Sequence, residues 1–251
     1  LEGADGGFVV TWESRYQDGD SSYYNIYGQR FDGDGSSVGD EFMVNVDRTI
    51  RDQHDPSVTS LSNGEFVVTW GDESTSSRSS ELGSGFDNSG WAVFGQKFTT
   101  ADDDTPAVSG DLFQVNSYTS SSQYQPSVTA LEGTDAGFVV TWQDDSGHDG
   151  GSGADVRGQL FDGSGTPVGD EFMVNTYTGS TQGDPSVASL ADGSFVVSWE
   201  SNGQDGSGYG IYSQHFNADG TKADNAKLIG GSADETLVFD AAQDGLTIDL
   251  G

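Results

Sequence analysis

The side chains of this chain that could do chemistry are mostly carboxylates: among 251 residues, 41 Asp and Glu stand against nine Lys and Arg, for a formal charge of −32. Acidic, Gly-rich runs recur at Gln17-Asp18-Gly19-Asp20, at Asp144-Asp145-Ser146-Gly147-His148-Asp149 and at Gln204-Asp205-Gly206-Ser207-Gly208. Similar runs stand at Asp32-Gly33-Asp34-Gly35, Asp162-Gly163-Ser164-Gly165 and Asn217-Ala218-Asp219-Gly220. Alternating carboxylates on a pliable turn suit Ca2+, which takes about six to eight oxygens in loose geometry. Calcium is therefore the expected cofactor, with Asp18, Asp20, Asp32, Asp34, Asp144, Asp145, Asp162 and Asp205 as its expected ligands. None of the runs completes an EF-hand loop. A hairpin turn alone also accounts for each, Asp-Gly being a favoured hairpin pair, and the overall charge is what argues for the metal.

Other chemistries find less support. His54, His148 and His215 fall in non-equivalent places, there is no thiol, and neither HExxH nor GxSxG is present. With so many carboxylates, a pair suited to glycoside hydrolysis could arise anywhere and carries no information by itself. Gly runs interleaved with Asp repel phosphate, and the same field excludes nucleic acid and anionic lipid as expected partners. No apolar run approaches the ~18 residues of a membrane-spanning helix, so no membrane insertion is expected. Cys is absent, so neither disulfides nor thiolate metal sites hold the fold.

The elements that position these residues are legible as a repeat. Phe8-Val9-Val10-Thr11-Trp12 returns at Phe66 to Trp70, at Phe138 to Trp142 and, with Ser for Thr, at Phe195 to Trp199. Each copy is followed by a Gly-Gln segment: Tyr27-Gly28-Gln29-Arg30-Phe31, Phe94-Gly95-Gln96-Lys97-Phe98, Arg157-Gly158-Gln159-Leu160-Phe161 and Tyr212-Ser213-Gln214-His215-Phe216. Then come Phe42-Met43-Val44-Asn45, Phe113-Gln114-Val115-Asn116 and Phe172-Met173-Val174-Asn175, with a weaker version near Leu228-Ile229. Pro56-Ser57-Val58, Pro126-Ser127-Val128 and Pro185-Ser186-Val187 lead into the next copy. All are short, β-branched or aromatic, and bounded by turn formers, as strands are.

Period-two alternation puts Phe66, Val68 and Trp70 on one face and Val67 and Thr69 on the other, so each sheet is expected to be covered on both sides. The small residue at 28, 95, 158 and 213 predicts the close approach of a neighbouring sheet. Gln29, Gln96, Gln159 and Gln214 are read as structural amides that satisfy nearby backbone groups. Trp12, Trp70, Trp142 and Trp199, present in every copy, are read as packing residues. Trp91 has no counterpart in the other copies and follows an insertion from about residue 71 to 90. Exposed, it offers a sugar-stacking, ligand-binding platform; buried, it anchors the loop.

The expected fold is all-β, built of repeated four-stranded antiparallel units. A β-propeller, four-bladed or part of a larger one, is expected, with a linear array of small sheets as the alternative. The repeat domain covers residues 1–230, in units at about 1–53, 54–123, 124–182 and 183–230. The first unit lacks most of its leading strand. Residues 231–251 supply closing strands, at Thr236 to Phe239 and Leu246 to Leu250, or begin a following calcium-binding repeat region.

These strings together resemble repeats of very large secreted bacterial proteins of the hemolysin-type calcium-binding (RTX) group, over about residues 1 to 230. The segment Ile229 to Leu237 is similar to the Gly-rich calcium nonapeptide of that group, departing from it at Ala233. The resemblance implies one-step export, calcium-dependent folding outside the cell, and roles in adhesion or surface layers. The function expected is a non-catalytic, calcium-stabilised extracellular module of an adhesin or surface protein, secreted or held at the cell surface. Its expected partners are a glycan or another cell-surface component, and other copies or domains of the same long protein. The alternative is a secreted polysaccharide-degrading enzyme or its accessory carbohydrate-binding region.

Overall fold

The computed structural model of the protein describes residues 6–17, 19, 23–46, 51–75, 89–100, 105–133, 137–148 and 150–230. The first unit holds β1 (Phe8–Arg15), β2 (Tyr24–Phe31) and β3 (Ser37–Met43). The second holds β4 (Gln53–Ser60), β5 (Glu65–Thr75), β6 (Ser89–Thr99) and β7 (Ala107–Gln114). The third holds β8 (Gln123–Ala130), β9 (Phe138–Asp144), β10 (Asp155–Phe161) and β11 (Pro167–Met173), and the fourth β12 (Gln182–Ser189), β13 (Phe195–Asn202), β14 (Tyr209–Phe216) and β15 (Lys222–Gly230). Each unit is one antiparallel meander, strand neighbours following chain order; three sheets have four strands and the first has three among the described residues. Residues 231–251, with the two candidate closing strands, lie outside the described residues.

Alternation along the second strand of each unit decides how the sheets stack. Phe66, Val68 and Trp70 bury against Ile26, Phe42 and Val44 of the first unit, while Val67 and Val93, on the opposite face, bury against Phe138, Val140 and Trp142 of the third. The pattern repeats between the third and fourth units, where Val139, Val156 and Val174 meet Phe195, Val197 and Trp199. Every internal junction is therefore one unit's forward face on the next unit's backward face. At each, a cross-strand Phe pair is stacked: Phe66 with Phe98 at 5.2 Å, Phe138 with Phe161 at 5.1 Å, Phe195 with Phe216 at 5.2 Å between centroids. A third ring from the preceding unit closes on the pair: Phe42 at 5.5 Å from Phe98, Phe113 at 5.3 Å from Phe161, Phe172 at 5.3 Å from Phe216. Such offset and tilted contacts add about 0.5–1.5 kcal/mol each beyond the area they bury.

That third ring explains the small residue on the third strand. A Cβ on Gly28, Gly95 or Gly158 would lie 2.6, 2.4 or 2.5 Å from Cζ of Phe42, Phe113 or Phe172. The close approach expected from a neighbouring sheet is thus made by a ring on the adjacent strand of the same sheet, lying flat over the glycine. In the fourth unit the pair is Ser213 opposite Leu228.

Polar side chains lock consecutive units at two depths. Asn45 and Asn116 each accept a backbone N–H of their own sheet, from Ile26 at 2.8 Å and Val93 at 2.9 Å. Each also donates to the glutamine that begins the next unit, Gln53 at 2.9 Å and Gln123 at 3.0 Å. Deeper, Ser57 Oγ accepts from the Val128 backbone N–H, and Ser127 Oγ from that of Val187, both at 3.1 Å. The leading strands β4, β8 and β12 thus lie side by side and line a common centre.

Candidate functional site at the common centre

Each leading strand carries one distortion, at the same place. The register of β4 with β5 jumps between His54 and Ser57, that of β8 with β9 between Tyr124 and Ser127, and that of β12 with β13 between Gly183 and Ser186. Two residues there oppose a single tryptophan, which is a β-bulge. The first bulge residue, immediately before the proline, is Asp55, Gln125 or Asp184, with φ of 54°, 53° and 48°. Non-glycine residues rarely take positive φ, and strain of this kind is held where the surrounding structure fixes it and where it re-aims a side chain. Here it falls on one polar residue in each of the second, third and fourth units.

The bulge residues and their neighbours form three groups of hydrogen bonds. Gln125 donates through Nε2 to Asp184 Oδ1. Glu13, at the end of the tryptophan strand of the first unit, reaches the second: its Oε1 accepts the Asp55 backbone N–H at 2.8 Å and its Oε2 meets His54 Nδ1 at 2.7 Å. Gln143 is the equivalent residue of the third unit; a Cβ on Gly183 would fall 2.1 Å from its Oε1, so the glycine makes room for the amide. Gln143 also donates to the Tyr124 hydroxyl at 2.6 Å and to Asp145 at 3.0 Å, and Tyr124 donates to Asp145 at 3.0 Å. A cleft of about 570 Å3 opens beside this set, lined by Tyr124, Gln143, Asp145, Ser121, Ser152 and Thr181 among others. That is room for a mono- or disaccharide-sized ligand on a largely polar wall.

The electrostatics distinguish the carboxylates. Asp55 has its pKa raised, first by partial desolvation at the centre and then by the charges of Glu13 and Asp184, with His54 opposing. Tyr124 is pushed well above the usual phenol range by burial and by the bond to Asp145, so it remains a neutral donor. A carboxyl whose pKa is raised by its surroundings is a candidate for acid work on a glycosidic bond.

The residues singled out in the sequence are dispersed. Trp91 is half-buried beside this set, 5.3 Å from the His54 ring, which is in turn 5.0 Å from Tyr24. Trp70, Trp142 and Trp199 are buried within the three inter-unit clusters, and Trp12 is half-buried. Gln29, Gln96 and Gln159 donate into the irregular register between third and fourth strands, to backbone carbonyls of Val38 at 3.1 Å, Gly110 at 3.2 Å and Val168 at 3.2 Å, and Gln214 donates to the His215 carbonyl at 2.8 Å. Asp18 and Asp20 lie outside the described residues.

Of the remaining carboxylates expected to bind calcium, Asp32, Asp162 and Asp205 accept N–H groups of their own turns, from Ser36 at 2.8 Å, Thr166 at 2.9 Å and Ser207 at 2.9 Å. Asp34 donates its backbone N–H to Asp32 within one such turn. Bonds from Ser164 and Thr166 hold the Asp162 carboxyl below the usual carboxylate range. Asp144 is buried against Arg157 Nε at 2.9 Å and accepts from Gln123 at 3.0 Å, while Asp145 belongs to the central set. Among the described residues no group of three or more His, Cys, Asp or Glu stands together as a metal ion requires. The turns of Asp32, Asp162 and Asp205 close on their own backbone.

Asp55, Gln125, Asp184 and Glu13 were not among the residues expected to carry chemistry. Their signal was present: the slot before each Pro-Ser-Val and the slot after each Val-Val-Thr-Trp change type from copy to copy, while their neighbours stay constant.

No protein-family model and no curated protein matches the chain. Solved structures do. An α-L-arabinofuranosidase from Fusarium graminearum, complexed with an iminosugar inhibitor, superposes with a TM-score of 0.58 at 15% identity, over 95% of this chain and 67% of that one. An α-L-arabinanase from Penicillium chrysogenum complexed with arabinobiose gives 0.55 at 14%, over 92% and 66%. A leech intramolecular trans-sialidase gives 0.55 at 12%, over 89% of this chain and 49% of that one. The chain thus spans about two thirds of the first two and about half of the third. At these identities the likeness is one of fold. It corrects the expectation of a non-catalytic adhesin or surface module: the fold is shared with enzymes named for their action on glycosides. The alternative, a polysaccharide-degrading enzyme or its carbohydrate-binding region, is the reading that remains.

Proposed function

We propose that the four sheets are consecutive blades of a β-propeller and that its centre cleaves a neutral polysaccharide. The observation that carries this reading is that Asp55 and Asp184 occupy equivalent bulges of the second and fourth units, with the Asp55 pKa raised in part by the Asp184 charge. Asp55 serves as the acid that protonates the leaving oxygen. Asp184, held by Gln125, is the carboxylate that activates water or attacks the anomeric carbon. Glu13 is a positioning residue: both its oxygens are committed to the second unit, where it holds the bulge and its charge raises the Asp55 pKa. Tyr124, whose proton is held by Asp145, lines the cleft and packs against the bound sugar. Trp91, His54 and Tyr24 form the aromatic edge on which a sugar ring stacks.

Arabinan and arabino-oligosaccharides are the first substrates to test, because the arabinanase of similar fold was solved with arabinobiose. Reducing-sugar release is expected, with Asp55→Asn lowering kcat by about 10²–10⁴-fold while the bound sugar is retained. Binding that is lost in Trp91→Ala, with no hydrolysis by the native chain, would instead assign the accessory carbohydrate-binding role, which the aromatic edge favours. Neither binding nor hydrolysis across neutral polysaccharides would overturn both.

A further inference from the structure

The two outer faces of the four-unit stack carry the side chains that every internal junction buries, and they carry them exposed. On the backward face, Phe66, Phe138 and Phe195 are 0% exposed, whereas the equivalent Phe8 of the first unit is 45% exposed; Val68, Val140 and Val197 are 0% and Val10 is 43%. On the forward face, Ile26, Val93 and Val156 are 0% exposed, whereas the equivalent Ile211 of the fourth unit is 55% exposed. Phe8 and Phe31 already stack at 5.1 Å, as the Phe pair of every unit does. Among the described residues no third ring closes on that pair. In addition, β1 has a sheet neighbour on one side only among the described residues, where β5, β9 and β13 have two.

We propose that these two faces are docking surfaces for further units of this same repeat, placed between the fourth unit and the first. The occupant is defined by continuity with the internal junctions. On the Phe8 face it presents a ring equivalent to Phe42, Phe113 and Phe172, together with a Gln-x-x-Pro-Ser-Val strand that pairs with β1. On the Ile211 face it presents a Phe, Val and Trp row like that of β5. The units are two in number, because the four units here fill 67% and 66% of the two arabinoside-acting structures of the same fold, about four parts in six. A second copy of the chain would bring four units, not two. Its head-to-tail contact would not close and would run on as a filament. This inference rests on the propeller reading but not on catalysis, so it is tested without any sugar.

Hydrogen exchange is the measurement, on three chains: residues 1–251, the same chain ended at Gly230, and the full chain extended by a second copy of residues 53–190, which brings two units and a spare leading strand for β1. In the first two, β1 and β14 are expected to exchange at least about tenfold faster than β5, β9 and β10, which lie at internal junctions. In the extended chain both ends are expected to slow together, and Ile211→Asp to restore fast exchange at both. Loss of protection at β1 on removing residues 231–251 would make that segment the occupant and overturn the proposal. So would a concentration-dependent dimer with both faces protected, or an extension that leaves both ends fast.

Discussion

Gln125 donates its side-chain N–H to Asp184 from the equivalent position of the neighbouring unit, 59 residues away in the chain. Both residues sit at the bulge before a proline, with φ of 53° and 48°, so the contact joins two copies of one strained slot. The central carboxylate of the fourth unit is held by the one copy of that slot that carries an amide. Replacing Gln125 by Glu sets two carboxylates against each other, and one of them must then keep a proton at neutral pH. Urea unfolding is expected to show a loss of about 1–2 kcal/mol at pH 7 that shrinks as pH falls. An unchanged midpoint at both pH values would show that the bond does not order the centre.

Asp55 supplies the complementary test. Its folded pKa is raised, so between the unfolded carboxylate value of about 4 and the folded value the native state binds more protons than the unfolded chain. Stability must fall as pH rises through that window. Asp55→Asn removes the penalty: the variant is expected to melt higher than the native chain at pH 7 and to match it near pH 3. A variant that melts lower at neutral pH would mean that the carboxylate is stabilised by its surroundings and is no store of strain.

The three-ring junctions predict a steep cost for small changes. Gly95→Ala places a methyl 2.4 Å from the Phe113 ring, and overpacking of this kind costs about 1–3 kcal/mol. Phe138→Ala opens the middle junction, at about 3–5 kcal/mol. Joined as Gly95→Ala with Phe113→Leu, the substitutions reproduce the small-to-medium pairing of Ser213 with Leu228, and thermal melts should find the double variant less damaged than the sum of the singles.

Asp144 is expected to behave as a structural anion. It is buried with Arg157 and holds Gln123 at the start of the third unit. Asp144→Ala leaves the guanidinium buried without that partner, a loss of about 3–5 kcal/mol. Arg157→Met together with Asp144→Leu should recover much of it. If calcium addition rescued the single variant, the residue would be a metal ligand after all.

Much of the architecture was legible because its signals are local. Phe-Val-Val-Thr-Trp alternates with the period of a strand, and its apolar residues on both faces foretold sheets covered on both sides, as Val67 and Val68 are. Gly95 was legible as a close approach but not as to its partner, since spacing cannot tell a ring on the next strand from a neighbouring sheet. The centre was hidden for a different reason. Asp55 and Asp184 were not singled out among 41 carboxylates, and only the bulge before the proline, a feature of backbone register, sets them apart. Glu13 meets Asp55 through the packing of two units, which no single repeat encodes.

The bulge before the proline is identical in backbone course in three units while its side chain is Asp, Gln and Asp. Scaffold and chemistry are thereby inherited separately. A single codon change at residue 55, 125 or 184 alters what the centre presents without disturbing the strand that presents it. Duplication of the unit supplies new sockets, already aimed, for whatever residue happens to precede the proline. Such a chain can change the residue it presents at the bulge without changing the strand that presents it.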